Sequence, residues 1–230
     1  MQTQLTFQSV DGSSNLTSPL QLKNKYEILP ISYELANDLI IKHHYLHRKA
    51  SSMFRFGLFE NGELLGCIIY GKPASNAVCK GICGKDYAGL VLELTRLWIS
   101  DNSSKNAESF LISHSIKMIP SKFKIIVSYA EKDIGHIGIV YQASNWIYTG
   151  LTYKHSQWNI QGMDGRHNRH LFDEVGGINK AKEFYAEKMI KVERPRKHRY
   201  IFFRGTKKEK KELRNNLKYE VLPYPKKINE

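Results

Sequence analysis

Two ionisable side chains stand where the sequence predicts buried strands. Glu131 ends the apolar run IIVSYA, and α/β sheets usually place ligand-binding groups at strand ends. A carboxylate there serves as a general base or hydrogen-bond acceptor, or it is simply a solvated charge. Arg96 lies inside the apolar run Leu90–Ile99, where an unpaired cation is costly. The position of Arg96 therefore predicts one of two arrangements: a site that binds an anion, or a structural ion pair with Glu93 or Glu131.

Three histidines, at positions 43, 44 and 47, follow the first predicted helix. His44 and the adjacent Tyr45 suit a proton relay or a stacking contact with a flipped base. A metal site is the alternative, although this spacing matches no established ligand pattern. Cys79 and Cys83 would need two further ligands to hold zinc, so unligated thiols are the simpler interpretation.

The positive charge of the chain is concentrated near its C-terminus. The 230 residues carry a net charge of +13. Residues 181–230 hold 16 Lys and Arg against 7 Asp and Glu, whereas the first 180 hold 19 against 15. Interleaved aromatic residues make a nucleic-acid surface a natural interpretation, because cations neutralise phosphates and rings stack on bases. A solubilising tail is the alternative. The cations we expect to bind are Arg196, Lys197, Arg199, Lys207 and Lys208.

Composition excludes several other classes of protein. A hydrophobic fraction of 41% with 11% aromatic residues excludes wholesale disorder. No run reaches the ~18 apolar residues of a membrane span, so we expect no membrane partner. Three cysteines make a disulfide scaffold unexpected and favour a reducing compartment, which predicts a cytoplasmic protein. Nothing in the sequence assigns an oligomeric state.

The hydrophobic pattern predicts the elements that must position these residues. We expect strands over 26–31, 53–60, 63–70, 90–99, 124–130, 146–153 and 199–204, and helices over 32–42, 107–119, 135–145, 181–190 and 206–216. Asn61-Gly62 is a strong hairpin signal between two of these strands. Residues 72–89 are expected to form an irregular insertion, and 154–180 to be rich in loops. The order predicts an α/β fold, a mixed central sheet flanked by helices, and it suits the GNAT acyltransferase superfamily among other α/β folds.

Three segments are predicted along the chain. Residues 1–24 lack periodicity and are expected to form a loose N-terminal arm. Residues 25–205 would form the GNAT-like catalytic domain. Residues 206–230 would form a basic C-terminal extension.

Several motifs together resemble the Mom family of phage DNA-adenine-modifying proteins. They are His44-Tyr45, Leu94-Thr-Arg-Leu-Trp98 with Asn106-Ala-Glu-Ser109, Ser128-Tyr-Ala-Glu131 running into Gly135-His-Ile-Gly138, Tyr141 and Asn145-Trp146, and the C-terminal RYIFFRG and KYEVLPYPKK. The resemblance covers roughly residues 26–225. Glu131 departs from the usual Ser-Tyr-Ala-Asp of the family by one methylene, so the carboxylate is kept while its geometry changes.

The resemblance implies an activity and a set of site residues. Mom-type proteins convert adenine in duplex DNA to N6-(carbamoylmethyl)adenine, which shields phage DNA from host restriction, so double-stranded DNA and a host cytoplasm are implied. The candidate catalytic residues are His44, Tyr45, Glu131 and Tyr141. Tyr141 matches a GNAT tyrosine that donates a proton to a departing thiolate; a core aromatic is the alternative. The basic segment 153–170, with Arg166, His167 and Arg169, is the candidate for reading DNA near the site; a packed surface loop is the alternative.

The cofactor is less well defined by the motifs. The loop before the second long helix, residues 101–106, lacks the glycines that cradle pyrophosphate in GNATs. Its Ser103, Ser104 and Asn106, with Arg96, are the candidate contacts for acetyl-CoA or another acyl or glycyl donor. Simple attack of an amine on a thioester would give an amide, whereas the family product has a CH2 group on N6, so another step or donor is required. The resemblance also implies a possible iron cofactor.

Two other functions fit the same sequence. One is a non-catalytic DNA-binding module, in which His44, Glu131 and Tyr141 would be scattered, whereas the enzyme would hold them within one pocket beside the open end of the sheet. The other is a GNAT N-acyltransferase acting on a protein or a small amine, against which the missing glycine-rich loop counts.

Overall fold

The structure is a computed structural model that describes residues 19–163 and 168–226. Nine strands are present in these ranges: β1 (Glu27–Pro30), β2 (Phe54–Glu60), β3 (Glu63–Gly71), β4 (Val91–Ile99), β5 (Ile125–Glu131), β6 (Ile147–Leu151), β7 (Ser156–Ile160), β8 (Met189–Glu193) and β9 (Lys197–Phe203).

Eight α-helices lie within the same described ranges: α1 (Pro19–Lys25), α2 (Tyr33–His43), α3 (Asn76–Cys83), α4 (Ala107–Met118), α5 (Ile139–Ala143), α6 (Asn168–Glu174), α7 (Ile178–Tyr185) and α8 (Lys207–Asn215). Short 3₁₀ turns span Lys85–Leu90, Lys132–Ile134 and Ala186–Lys188. None of the described helices combines the length and the apolar character that a membrane span requires.

The chain divides into two compact units. The first comprises Met1–Lys72 and Leu94–Pro120, and the second comprises Pro73–Glu93 and Ser121–Glu230. Each unit contains antiparallel strand pairs and helices, so the predicted α/β class with a helix-flanked sheet is confirmed.

In the first unit, β1, β2 and β3 form an antiparallel sheet. The predicted hairpin is present, because Asn61 and Gly62 both adopt the positive φ that a tight turn between twisted strands requires. Helix α2 begins at the predicted cap, where the Ser32 hydroxyl accepts from the Leu35 N–H. Its buried face, including Ala36 and Ile40, packs on β3.

In the second unit, β9 lies between β5 and β6 and is antiparallel to both. Alternate residues of β5 and β9 face a core that also receives residues of α3 and α8; its buried members are Ile82, Cys83, Val91, Ile125, Val127, Ile201, Phe203 and Leu213. The other face of this β5–β9–β6 ribbon carries α5. Strands β7 and β8 form a separate antiparallel pair.

The segments predicted to be irregular contain regular structure. Residues 72–89 include α3, which begins at Ser75, whose hydroxyl accepts from the Val78 N–H. Residues 154–180 contain β7 and α6, and β8 was not predicted at all. The end of the predicted N-terminal arm is helical as well, since α1 starts at Pro19 and buries Leu22. These elements are short and half-exposed, so their hydrophobic periodicity is weak.

The C-terminal segment is part of the second unit, whereas it was expected to be an appended extension. Leu213 is buried, and Leu217 and Tyr219 pack against the same core. The backbone continues the contact, because the Lys218 N–H donates to the Ile82 carbonyl at 2.8 Å and the Leu222 N–H to the Tyr148 carbonyl at 3.0 Å.

Candidate active site

A hydrogen-bonded hydroxyl pair lies beneath α5. The hydroxyl of Ser128, in the middle of β5, donates to the phenol oxygen of Tyr141 at 2.8 Å. Ser128 is 1% exposed and Tyr141 is 8% exposed, so water has little access to the bond. In this bond the Tyr141 phenol oxygen is the acceptor, so the phenol proton takes no part in it.

Aromatic rings fix the position of Tyr141. Its ring centroid lies 5.1 Å from that of Trp146 and 5.2 Å from that of Tyr200. Tyr148 continues the row beside Tyr200 and accepts or donates a 2.8 Å hydrogen bond with Nδ1 of His198. Burial, assisted by the nearby Lys132 ammonium, lowers the pKa of His198. This row leaves Tyr141 few alternative rotamers.

The turn before α5 brings the backbone against this row. Gly138, with φ of +73°, precedes α5, and a Cβ there would lie 2.5 Å from the Tyr200 ring and 3.0 Å from the Tyr141 ring. The Tyr200 hydroxyl donates to the Ile137 carbonyl, and Gln142 donates to that same hydroxyl at 3.1 Å. Burial raises the pKa of Tyr200 to about 12, so it stays protonated and holds this turn at any physiological pH.

Glu131 occupies the opposite face of the β5–β9–β6 ribbon. It pairs in register with Lys197, whose Nζ lies 3.4 Å from Glu131 Oε2. That carboxylate oxygen is buried but receives no aligned hydrogen bond, so the contact is an ion pair. Because side chains alternate along a strand, Glu131 and Ser128, three residues apart, face different sides. The structure therefore does not place Glu131 and Tyr141 in one pocket.

Arg199 is a structural residue, which corrects its prediction as a DNA contact. It is 7% exposed, and its guanidinium donates to Thr149 Oγ1 at 2.8 Å and to the Thr149 carbonyl at 2.9 Å. The guanidinium also stacks on the Tyr219 ring at 3.3 Å. Its donors are therefore directed into the protein. The alternation of Arg199 with Ile201 and Phe203 along β9 is the signal that would have predicted this burial.

The remaining predicted DNA contacts differ in accessibility. Lys207 and Lys208 are exposed in the first turn of α8. Arg196 is half-buried, and its Nε donates to the Thr152 carbonyl at 2.8 Å. Lys197 is engaged with Glu131. Arg166 and His167, as well as the side chain of Arg169, lie outside the described residues.

In the first unit, His44 and Tyr45 follow α2 as predicted. Their rings stack with centroids 4.4 Å apart, and Tyr45 is 44% exposed. His44 is buried, and its Nδ1 accepts from the Leu46 N–H at 3.1 Å, which leaves the proton of the neutral ring on Nε2. The pair thus joins a ring nitrogen donor to an accessible aromatic surface.

The histidines of this segment do not fit a metal or iron site. His43 stacks on Trp98 with ring centroids 4.4 Å apart, and Nδ1 of His47 bonds to the Ile41 carbonyl. Within residues 19–163 and 168–226, no three His, Cys, Asp or Glu side chains are grouped so that they could hold a metal ion. We therefore derive no step through iron. The cysteines are free thiols, and burial raises the pKa of Cys83 to about 11.

The predicted donor-binding loop precedes α4 in the first unit. Asn106 adopts a left-handed conformation at the start of α4, with φ of 72°. The Ser104 N–H donates to the Tyr26 hydroxyl at 2.7 Å, and the Ser104 hydroxyl accepts from Lys25 at 2.6 Å. Ser104 is thus already engaged, whereas the Ser103 hydroxyl is buried without a hydrogen-bond partner among the described atoms. Arg96 donates to the Thr95 carbonyl at 2.6 Å.

Fold and site together define an α/β protein with a buried phenol–hydroxyl pair behind a short helix. The family model described as the Mom protein family matches residues 25–226, and the chain belongs to that family. A curated relative, the methylcarbamoylase Mom of Escherichia phage Mu, is 29% identical over 201 residues, which cover 85% of this chain and 82% of the relative.

Solved structures show a more distant likeness. A GNAT family acetyltransferase from Elizabethkingia anophelis, solved with acetyl-CoA bound, is 13% identical at a TM-score of 0.45, over 79% of this chain and 99% of the other. The IAA acetyltransferase from Bacillus cereus is 9% identical at a TM-score of 0.43, over 78% and 99%.

Proposed function

We propose that the chain is a DNA-modifying transferase that converts adenine in DNA to N6-(carbamoylmethyl)adenine. The observation that carries this proposal is its family membership, with a relative named methylcarbamoylase aligned along most of both chains. In a phage-infected cell the modification would protect phage DNA from host restriction enzymes, and the protein would act in the host cytoplasm.

Tyr141 is the proposed proton donor of this site. The Ser128 hydroxyl, donating to the Tyr141 oxygen, stabilises negative charge on that atom as the phenol gives up its proton. The rings of Trp146 and Tyr200 exclude water and keep the phenol fixed, so the proton is directed to one acceptor. The leaving group of the donor is the proposed acceptor.

Glu131 is the proposed base or hydrogen-bond acceptor for the adenine amino group. It stands at the end of β5 with one oxygen against Lys197 and with 14% of its side chain exposed, so its carboxylate is held rather than free to rotate. Since Glu131 and Tyr141 face different sides of the ribbon, at most one of them acts directly on the atoms that react. Within the first unit, His44 and Tyr45 are proposed as a base-contacting pair, because the exposed Tyr45 ring, stacked on His44, offers a surface on which a base can stack.

The group donor is proposed to be acetyl-CoA or another acyl or glycyl donor, with Arg96, Ser103, Ser104 and Asn106 as its contacts. Arg96 supplies a cation, and the buried Ser103 hydroxyl supplies a polar group that gains from a ligand. Ser104 would first have to release Tyr26 and Lys25. The new bond joins N6 to a CH2 carbon and the added group contains an amide nitrogen, so acetyl-CoA alone does not balance the reaction. The proton of Tyr141 would go to a leaving group only with a donor that loses that group from the CH2 carbon.

Mass spectrometry of nucleosides from expressing bacteria tests the proposal. The chain and a Tyr141→Phe variant are expressed at equal levels, and total DNA is digested. We expect an adenosine carrying an added C2H3NO group with the wild-type chain and a strongly reduced amount with the variant. Unmodified DNA from a folded, well-expressed wild-type chain would overturn the proposal and would favour a non-catalytic DNA-binding module.

A further inference from the structure

A basic pocket lies in the second unit where four strand ends meet. It has a volume of about 380 Å³ and is lined by Lys132, Asp133, Lys154, Glu193, Arg194 and Arg196. Four cations thus face two carboxylates. Lys154 and Glu193 approach each other at 3.6 Å and their charges cancel, which leaves three cations and one carboxylate in the pocket.

The other three cations are available to a ligand. Within the described residues, Lys132, Arg194 and Arg196 form no ion pair. An anion in the pocket would meet three positive groups, and Asp133 would be the main opposing charge.

Backbone hydrogen bonds hold the segments that line this pocket in place. The Lys132 N–H donates to the Arg196 carbonyl at 3.3 Å, and the Arg194 N–H donates to the His155 carbonyl at 2.7 Å. Thr152 completes the frame: its carbonyl accepts from Arg196 Nε and its hydroxyl from the Lys197 N–H. The guanidinium of Arg196 is therefore held in one plane, which suits recognition of a phosphate by a planar fork of donors.

We propose that this pocket binds the phosphate backbone of a DNA strand. The inference deepens the proposed function by locating where that substrate is held, and it rests on DNA being the partner. The excess of cations over carboxylates in the pocket favours a negatively charged ligand such as phosphate. Ile134, which follows Asp133 and ends the 3₁₀ turn, is 50% exposed, so a polynucleotide, unlike free phosphate, could also contact this apolar side chain. Bases lie next to backbone phosphates, and an exposed aliphatic side chain beside a phosphate site suits contact with them.

The salt dependence of DNA binding tests the pocket. We would measure the anisotropy of a short fluorescein-labelled duplex between about 50 and about 200 mM salt, without any group donor, so that turnover plays no part. The Lys132→Gln/Arg194→Gln double variant should bind more weakly, with a slope of log Kd against log salt reduced by about 2. The matched control Lys80→Gln/Lys85→Gln removes two exposed charges of the same unit and should leave the slope unchanged.

The outcomes separate this inference from the proposed function. Equal slopes for the pocket variant and the wild type would overturn the inference. Calorimetry with coenzyme A forms a second arm: if the pocket variant loses coenzyme A binding while its DNA slope is kept, the phosphate belongs to a cofactor. A wild-type chain that leaves DNA unmodified but shows the slope difference would retain the DNA pocket and lose only the proposed chemistry.

The apolar part of the surface is tested separately. Ile134→Ser should weaken duplex binding while leaving the salt slope unchanged, because no charge is removed. Ile178→Ser, at a comparably exposed isoleucine of α7, is the control and should bind as the wild type does. Equal binding by both isoleucine variants and the wild type would remove the argument for a polynucleotide.

Discussion

Glu131 and Tyr141 lie on opposite faces of the ribbon formed by β5 and β9. Glu131 meets Lys197 on one face, and Tyr141 receives the Ser128 hydroxyl on the other. Side chains alternate along a strand, so each residue of β5 points to only one of these two faces. The proposed acid, Tyr141, and the proposed base or acceptor, Glu131, therefore lie on different sides of one strand.

The Ser128–Tyr141 bond predicts non-additive kinetics. Tyr141→Phe keeps the packed ring but removes the proton, so adenine modification should fall by about 100-fold or more. Ser128→Ala alone should reduce the rate less. Adding Ser128→Ala to Tyr141→Phe should cost nothing further, because the two hydroxyls act as one unit. Rates from timed nucleoside mass spectrometry give the cycle, and simple additivity would show that Ser128 acts independently.

The rate of adenine modification should depend on the charge of residue 131 more than on the length of its side chain. Glu131→Gln should abolish modification, whereas Glu131→Asp, the usual residue of the family motif, should keep much of it. Lys197→Gln is the companion variant, because it removes the ion-pair partner and leaves the carboxylate in place. If Glu131→Gln is harmless while Lys197→Gln is not, the lysine is the reactive group of the pair. Thermal unfolding of each variant checks that the ribbon is intact.

A substitution at Gly138 should be destabilising because of a steric clash, and the same substitution at Gly135 separates that clash from backbone strain. Gly138→Ala places a Cβ 2.5 Å from the Tyr200 ring and strains a backbone φ of +73°. Gly135→Ala imposes nearly the same φ, +74°, but its Cβ meets no atom within 4 Å. We expect Gly138→Ala to lower the melting temperature and the modification rate well beyond Gly135→Ala. Equal decreases in both variants would mean that position 138 requires glycine only because of its backbone φ and not because of the nearby Tyr200 ring.

Tyr219 predicts that the C-terminal segment supports the site. Tyr219→Ala removes the ring stacked on the buried Arg199 guanidinium, and a desolvated cation–π contact contributes about 2 kcal/mol. Tyr219→Phe retains the ring and should be nearly neutral. Chemical denaturation measures both. A small loss for the alanine variant would show that Thr149 alone secures Arg199.

The capping box of α8 predicts a pH-dependent stability difference. Bonds from the Thr206 N–H and from Lys124 lower the pKa of Glu209 from its ordinary value of 4.5 to about 2. Because the folded pKa lies below the unfolded one, this contribution is complete above about pH 4.5 and is lost as the pH falls towards about 2. Glu209→Gln should therefore melt lower than the wild type at pH 7. The two curves should converge in acid, and a constant gap would assign the effect to the helix cap alone.

Periodic segments with clear caps were predictable from the sequence, and irregular ones were not. The Asn61-Gly62 hairpin, α2 with its Ser32 cap and the apolar strand β5 follow directly from local chemistry. Helix α3 was missed because glycine and cysteine obscure its pattern, although Ser75 marked its start. The β7–β8 pair depends on residues more than 25 apart in the chain, which no local pattern records.

The sequence indicated several residues of the candidate site, but it did not indicate how they are arranged in space. Tyr141 and Glu131 could be selected from motifs, but only the register of β5 against β9 shows that they face apart. Ser128 belonged to the same motif and was overlooked as a partner, because nothing in the sequence joins it to a tyrosine 13 residues later. A charge count could not separate the buried Arg199 from the accessible Arg194, since burial depends on tertiary packing.

The attachment of residues 218–224 to Ile82, Trp146 and Tyr148 has a consequence for biosynthesis. The second unit is assembled from two stretches of chain, and its closing contacts come from residues translated late. A chain that ends after α8 lacks the Lys218, Leu222 and Tyr224 hydrogen bonds, so we expect its Trp146–Tyr148 segment to be held less firmly. We therefore expect the second unit to complete its fold only after Tyr224 has left the ribosome.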